Sequence, residues 1–102
     1  MRALHLVHRS PFENNVLRCC VARAARGDSV LLLENAVYAA LLDGAMAGVV
    51  ADATKWLRMA VLIPDLEARG LAGVELLPDV EAIDYDGFVD LAVAYPVIVT
   101  WS

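Results

Sequence analysis

No apolar run in this sequence reaches the roughly 20 residues that a membrane-spanning helix needs. Asp43, Asp52, Lys55, Arg58 and Asp65 break the longest ones. No secretory leader is visible at the start either, because His5, His8 and Arg9 interrupt the stretch behind Met1-Arg2. Nothing forms a basic stripe, and the net charge is −5. Direct nucleic-acid binding is therefore not expected. Cysteine is scarce: Cys19 and Cys20 are the only two, and they are adjacent. Such a pair cannot staple a small fold, which fits a reducing compartment. These absences together point to the cytoplasm.

Signature loops are missing as well. There is no G-x-G-x-x-G, no Walker loop and no G-x-S-x-G. Asp84, Asp86 and Asp90 cluster near Gly87, but the spacing is not that of a calcium loop. They read as acids suited to a helix start. His5 and His8, three apart on a strand, point to opposite faces and do not make a metal pair. His5 reads as a hydrogen-bonded core histidine. No metal or cofactor is implied.

What the chain has in excess is apolar residues, 60% of 102, against about 45–50% in an ordinary soluble domain. A domain this small cannot bury all of them. Part of the excess belongs in subunit interfaces, with Trp56, Phe88 and Trp101 as exposed candidates.

The pattern along the chain alternates strands and helices. Ala3 to Val7 reads as a strand. Ser10, Pro11 and Glu13 read as a capping box with proline at the first helical position, opening a helix that carries both cysteines. Arg26-Gly27-Asp28 makes the turn that follows, with Gly27 as the helix C-cap. Ser29 to Leu33 is a continuous apolar run, as in a strand buried on both faces. A short helix capped by Asn35 runs through Leu42, and another spans Ala47 to Trp56. Met59 to Ile63 is a strand closed by Pro64. Asp65 to Arg69 is a solvated helical turn with an Asp65–Arg69 pair. Val74 to Leu77 is a short extended piece, Val80 to Asp84 a strand, Asp86 to Ala94 a helix, and Val97 to Trp101 a final strand. This predicts one three-layer α/β/α domain over 1–102, with a mainly parallel sheet of about five strands.

The thiols are the one candidate for nucleophilic or carrier chemistry. A helical wheel puts Cys20 with Leu17, Val21 and Ala24 on the apolar face, and Cys19 on a flank with Arg23 at i+4. A cationic neighbour lowers a thiol pKa and burial raises it, so the wheel favours Cys19 as the reactive thiol and Cys20 as a small core residue. Counted from Ser10, Cys20 lies about 15 Å along the helix, beyond the reach of its N-terminal dipole. His8 and Arg9 fall at the carboxyl edge of the first strand, where open α/β sheets bind ligands. A receiver-type signalling module is excluded, because His8-Arg9, Pro64-Asp65 and the chain end occupy the places where its acids and lysine belong.

Several stretches, in order over nearly the whole chain, carry a family resemblance. They are Leu4-His5 through His8-Arg9-Ser10-Pro11-Phe12, Leu31-Leu32-Leu33-Glu34, Tyr38-Ala39-Ala40-Leu41, Pro64-Asp65-Leu66-Glu67-Ala68-Arg69-Gly70, and Asp84-Tyr85-Asp86-Gly87-Phe88-Val89-Asp90-Leu91. With these the chain resembles the TusB/DsrH family, the smallest subunits of the TusBCD and DsrEFH sulfur-relay complexes. The resemblance implies a cytoplasmic dimer of heterotrimers built from this chain and two related α/β subunits of the TusC/TusD or DsrF/DsrE type. Such a complex passes persulfide sulfur between small carrier proteins. The sulfur serves 2-thiolation of the tRNA wobble uridine in one branch and intracellular sulfur oxidation in the other. The principal active cysteine is implied to lie on the TusD or DsrE partner. Cys20 matches a first-helix cysteine of DsrH-like members that typical TusB members lack, so the resemblance is closer to DsrH; it is the candidate sulfur-carrying thiol, with Cys19 as the alternative. A free-standing persulfide-carrying thiol protein is the competing reading.

Overall fold

A computed structural model describes residues 2–101. Five strands form one all-parallel sheet: β1 (Ala3–Val7), β2 (Ser29–Leu32), β3 (Arg58–Leu62), β4 (Val80–Ile83) and β5 (Val97–Trp101). Their spatial order is β4-β3-β2-β1-β5. The helices are α1 (Val16–Arg23), α2 (Ala47–Ala53), α3 (Ile63–Ala68) and α4 (Tyr85–Ala94), with a 3-10 segment over Glu34–Ala40.

The strand order dictates the layers. The steps β1→β2→β3→β4 all move the same way across the sheet, so crossovers of one hand put their connections on one face. The step β4→β5 runs back the other way, so the same hand puts α4 on the opposite face. The core divides accordingly. On the first face Val7, Val30, Leu32, Met59 and Val61 pack with Leu17 and Cys20 of α1, Ala36 and Val37 of the 3-10 segment, Val50 of α2 and Leu66 of α3. On the second face Leu4, Leu31, Ala60, Leu62 and Ile83 meet Leu91 of α4.

Burial falls from the centre of the sheet outward. All four residues of central β2 are buried, as are four of the five in β3. A strand covered on both faces needs no polar alternation. Edge β4 buries only its two ends, and no residue of edge β5 is buried.

The elements expected from sequence are present with shifted ends, and α1 shifts most. Ser10 does not cap it. Its Oγ accepts from Phe12 N–H (3.1 Å), closing a local turn, and α1 begins only at Val16. The reason lies in Asn14-Asn15: asparagine side chains compete with helical backbone bonds and favour helix starts. Asn14 Oδ1 accepts from Val16 N–H at 2.7 Å. Leu33, not Asn35, precedes the 3-10 segment. The expected helix ending at Trp56 stops at Ala53. Ile63 leaves β3 and starts α3, with Pro64 inside its first turn, where a missing N–H costs nothing. The extended piece at Val74 to Leu77 shrinks to a single bridge between Leu41 and Leu76. Asp84 leaves β4 and caps α4, accepting from Gly87 N–H at 2.9 Å. Among the described residues no helix is long and apolar enough to cross a membrane.

Candidate functional site

Both thiols sit near the start of α1. The later start at Val16 puts Cys20 about 6 Å along the helix, just past its first turn, rather than the 15 Å counted from Ser10. Cys19 is partly exposed, and Cys20 is fully buried. The apolar face of α1, with Leu17, Cys20 and Ala24, packs on the sheet of this same chain. It is a core face, not a free surface. Burial pushes the Cys20 thiol up to about 12, and the charge of Asp28 adds to the shift. At neutral pH Cys20 is thus a neutral thiol without the thiolate that attacks sulfur.

Asp28 belongs to a buried polar relay on the same side of the sheet. His5 of β1 lies between Asp28 and Trp101: its Nε2 is 2.9 Å from Asp28 Oδ2, and Trp101 Nε1–H donates to its Nδ1 at 3.0 Å. An indole N–H can only donate. Nδ1 therefore accepts, and the ring proton sits on Nε2 and is donated to Asp28. The carboxylate also accepts from Ala3 N–H (2.9 Å) and Ala25 N–H (3.0 Å). Burial alone would raise the Asp28 carboxyl. The hydrogen bonds from His5, Ala3 and Ala25 outweigh it and hold the group below its ordinary value. His5 is thus the hydrogen-bonded core histidine its position suggested.

The carboxyl edge of the sheet carries a polar cleft of about 300 Å3, lined by His8, Arg9, Ser10, Glu13, Glu34, Asn35 and Arg69. It brings together the His8-Arg9 pair and residues far away in sequence. His8 Nδ1 lies 3.3 Å from Glu34 Oε2. Glu34 has a positive φ of 51°, the only such non-glycine among the described residues, which costs about 1–3 kcal/mol. Its N–H is held by Asp65 Oδ2 at 2.6 Å. The expected Asp65–Arg69 ion pair does not form. Asp65 is spent on Glu34, while Arg69 donates to Asn35 Oδ1 (3.0 Å) and to the Asp65 carbonyl (3.0 Å). Neither cysteine lines this cleft. Its His8 and Arg9 were legible from their place after a strand. Nothing in the sequence placed Glu34, Asn35 or Arg69 beside His8: Asn35 read as a helix cap and Arg69 as the partner of Asp65.

Trp56, Phe88 and Trp101, expected at the surface, are only partly exposed and pack against the core. The large apolar residues that do stand in solvent are Phe12, Val74, Tyr85, Val89, Val93, Val97 and Ile98. Five of these lie on α4 and β5.

An all-parallel five-stranded sheet with helices on both faces and a thiol on its first helix defines the class, and a solved structure shares the fold. The crystal structure of the ychN protein from Escherichia coli superposes with a TM-score of 0.74 over 98% of this chain and 99% of that one, at 15% identity. The sequence narrows the class. A family model described as DsrH like protein matches residues 9–97. TusB of Erwinia tasmaniensis is 37% identical over 98 residues, and TusB of Escherichia coli strain K12 is 34% identical over 98 residues. Both alignments cover 96% of this chain and 99% of the relative. The chain belongs to the TusB/DsrH family.

Proposed function

We propose that this chain is the assembly subunit of a cytoplasmic sulfur-relay complex of the TusBCD/DsrEFH type. It joins two related α/β subunits in a dimer of heterotrimers that receives persulfide sulfur from one small carrier protein and hands it to the next. The observation that carries this reading is family membership over nearly the whole chain. The TusB relatives favour delivery toward 2-thiolation of the tRNA wobble uridine, while Cys20 is the feature that fits the sulfur-oxidation branch. In this reading the persulfide-bearing cysteine of the relay belongs to a partner subunit. Cys20 is a core residue that supports α1, since loading it would require α1 to lift from the sheet. Cys19 is the thiol of this chain that an incoming persulfide reaches.

The test is persulfide loading by mass spectrometry on the co-expressed complex, with Cys19→Ser and Cys20→Ser as separate variants. The expected result is sulfur on the partner's cysteine, with any sulfur on this chain confined to Cys19. Sulfur on Cys20 overturns the assignment of the thiols. A wild-type chain that ignores both related subunits overturns the assembly reading itself.

A further inference from the structure

We propose that the face formed by α4 and β5 docks a folded protein partner presenting an apolar surface with a basic rim. This rests on the assembly reading above and names the surface that serves it. The first observation is β5 itself. Its sequence, Val97-Ile98-Val99-Thr100-Trp101, has the composition of a central strand, yet it lies at an open edge of the sheet, bonded only to β1. Edge strands left in solvent carry charges, prolines or bulges that stop further pairing. The opposite edge follows that rule: β4 carries Glu81, which holds Arg58 of β3 at 2.9 Å. No charged residue stands in β5.

The second observation is the outer face of α4. Tyr85, Val89 and Val93 recur every four residues, on one stripe of the helix, and are 59%, 59% and 81% exposed. Ile98 lies on the α4 side of β5 by strand alternation, beside Leu4 in the register, and is 49% exposed. A helix already docked by Leu91 to the sheet has no reason in this chain to carry a second apolar stripe.

Charge chooses the occupant. From Asp84 to Trp101 the chain has three acids, Asp84, Asp86 and Asp90, and no base. Asp86 and Asp90 are exposed next to the apolar stripe. A second copy docking through this face in a two-fold contact would set the same acidic patch against itself, and like charges facing each other disfavour that contact. A partner with Arg or Lys around an apolar centre meets both features.

The experiment compares the tagged wild-type chain with the Val93→Asp/Ile98→Asp double variant and with Asp90→Lys, each co-expressed with the two related subunits. Copurification and light scattering read assembly, and thermal unfolding of each purified chain reads its fold. Val74→Asp, an exposed apolar position away from this face, is the control. The double variant is expected to stay folded and lose the complex. Asp90→Lys is expected to weaken assembly by roughly tenfold or more and flatten its salt dependence, and Val74→Asp to assemble as wild type. A folded double variant that assembles normally overturns the surface while leaving the assembly reading intact. A wild-type chain that dimerises alone through these residues makes a second copy the occupant and overturns the proposal. A wild-type chain that binds neither subunit overturns both readings.

Discussion

Replacing Asp28 should cost more stability than any other polar substitution in this chain. Its carboxylate accepts three hydrogen bonds, from His5 Nε2–H, Ala3 N–H and Ala25 N–H. Asp28→Ala leaves all three donors without an acceptor, and the His5 donor is buried. An orphaned buried donor costs about 1–3 kcal/mol. The two backbone donors are only partly buried, so water recovers some of their loss, and the total comes to about 3–5 kcal/mol. For a domain near 100 residues that lowers Tm by roughly 12 °C or more. Asp28→Asn is the more informative change. Its NH2 must replace either Oδ1, facing Ala3 N–H, or Oδ2, facing His5 and Ala25. His5 cannot relieve the second arrangement by moving its proton to Nδ1, because Trp101 Nε1–H already points there. An expected loss of about 1–3 kcal/mol follows.

The acid dependence has a definite sign. The folded Asp28 carboxyl titrates below its ordinary value, which is about 3.9 in an unfolded chain. Its contribution is therefore fully present above about pH 4 and is lost as pH falls through the lower folded value. Urea unfolding from pH 7 to pH 2 should show wild type and Asp28→Asn separated at neutral pH, with the gap narrowing below about pH 4. A loss under 1 kcal/mol for Asp28→Ala, or a gap that widens on acidification, would refute the relay as described.

Two further outcomes concern local structure. Asn14→Ala should destabilise by about 0.5–1.5 kcal/mol, the net worth of the hydrogen bond that Asn14, one residue before the N-cap Asn15, accepts from Val16 N–H. Ser10→Ala should cost no more than about 0.5 kcal/mol, the scale of a surface change, and urea unfolding of the pair distinguishes the two possible starts of α1. Gly87→Ala ordinarily gains about 1 kcal/mol inside a helix, but here the added Cβ would stand 2.9 Å from Ile83 Cβ and 3.4 Å from its Cγ2. Both atoms belong to a side chain buried under α4, so thermal melts should show a net loss of about 1–3 kcal/mol, the scale of overpacking.

The order of elements and the parallel sheet were legible because the strands read as short apolar runs between turn residues. The burial of Cys20 was legible from its place beside Leu17 and Ala24. The start of α1 was not, since the capping pattern at Ser10 to Glu13 is a good local signal that Asn14-Asn15 override. The relay could not be read, because its contacts join residues 23 and 96 positions apart. His5 declared only that it needed partners. The strand order was equally hidden, and with it the edge position of β5. A run such as VIVTW looks the same whether the sheet continues past it or stops.

That ambiguity links the sealed thiol to the open surface. Five strands at about 4.8 Å spacing set the outer strand axes roughly 19 Å apart, while one helix with its side chains is about 10–12 Å wide. Three helices and the 3-10 segment share the first face, but α4 alone covers the second. A single helix cannot close it, so apolar surface must remain beside α4. The reverse step to β5 is the cause. It sends the only crossover to the second face, and it lays Val97 to Trp101 along β1, where Trp101 reaches His5 and completes the relay beneath α1. The strand that closes the core on the side of Cys20 is thus the strand left uncovered. The buried polar groups thus hold the chain's own fold together, and the apolar surface left beside α4 is the one the proposed assembly would cover.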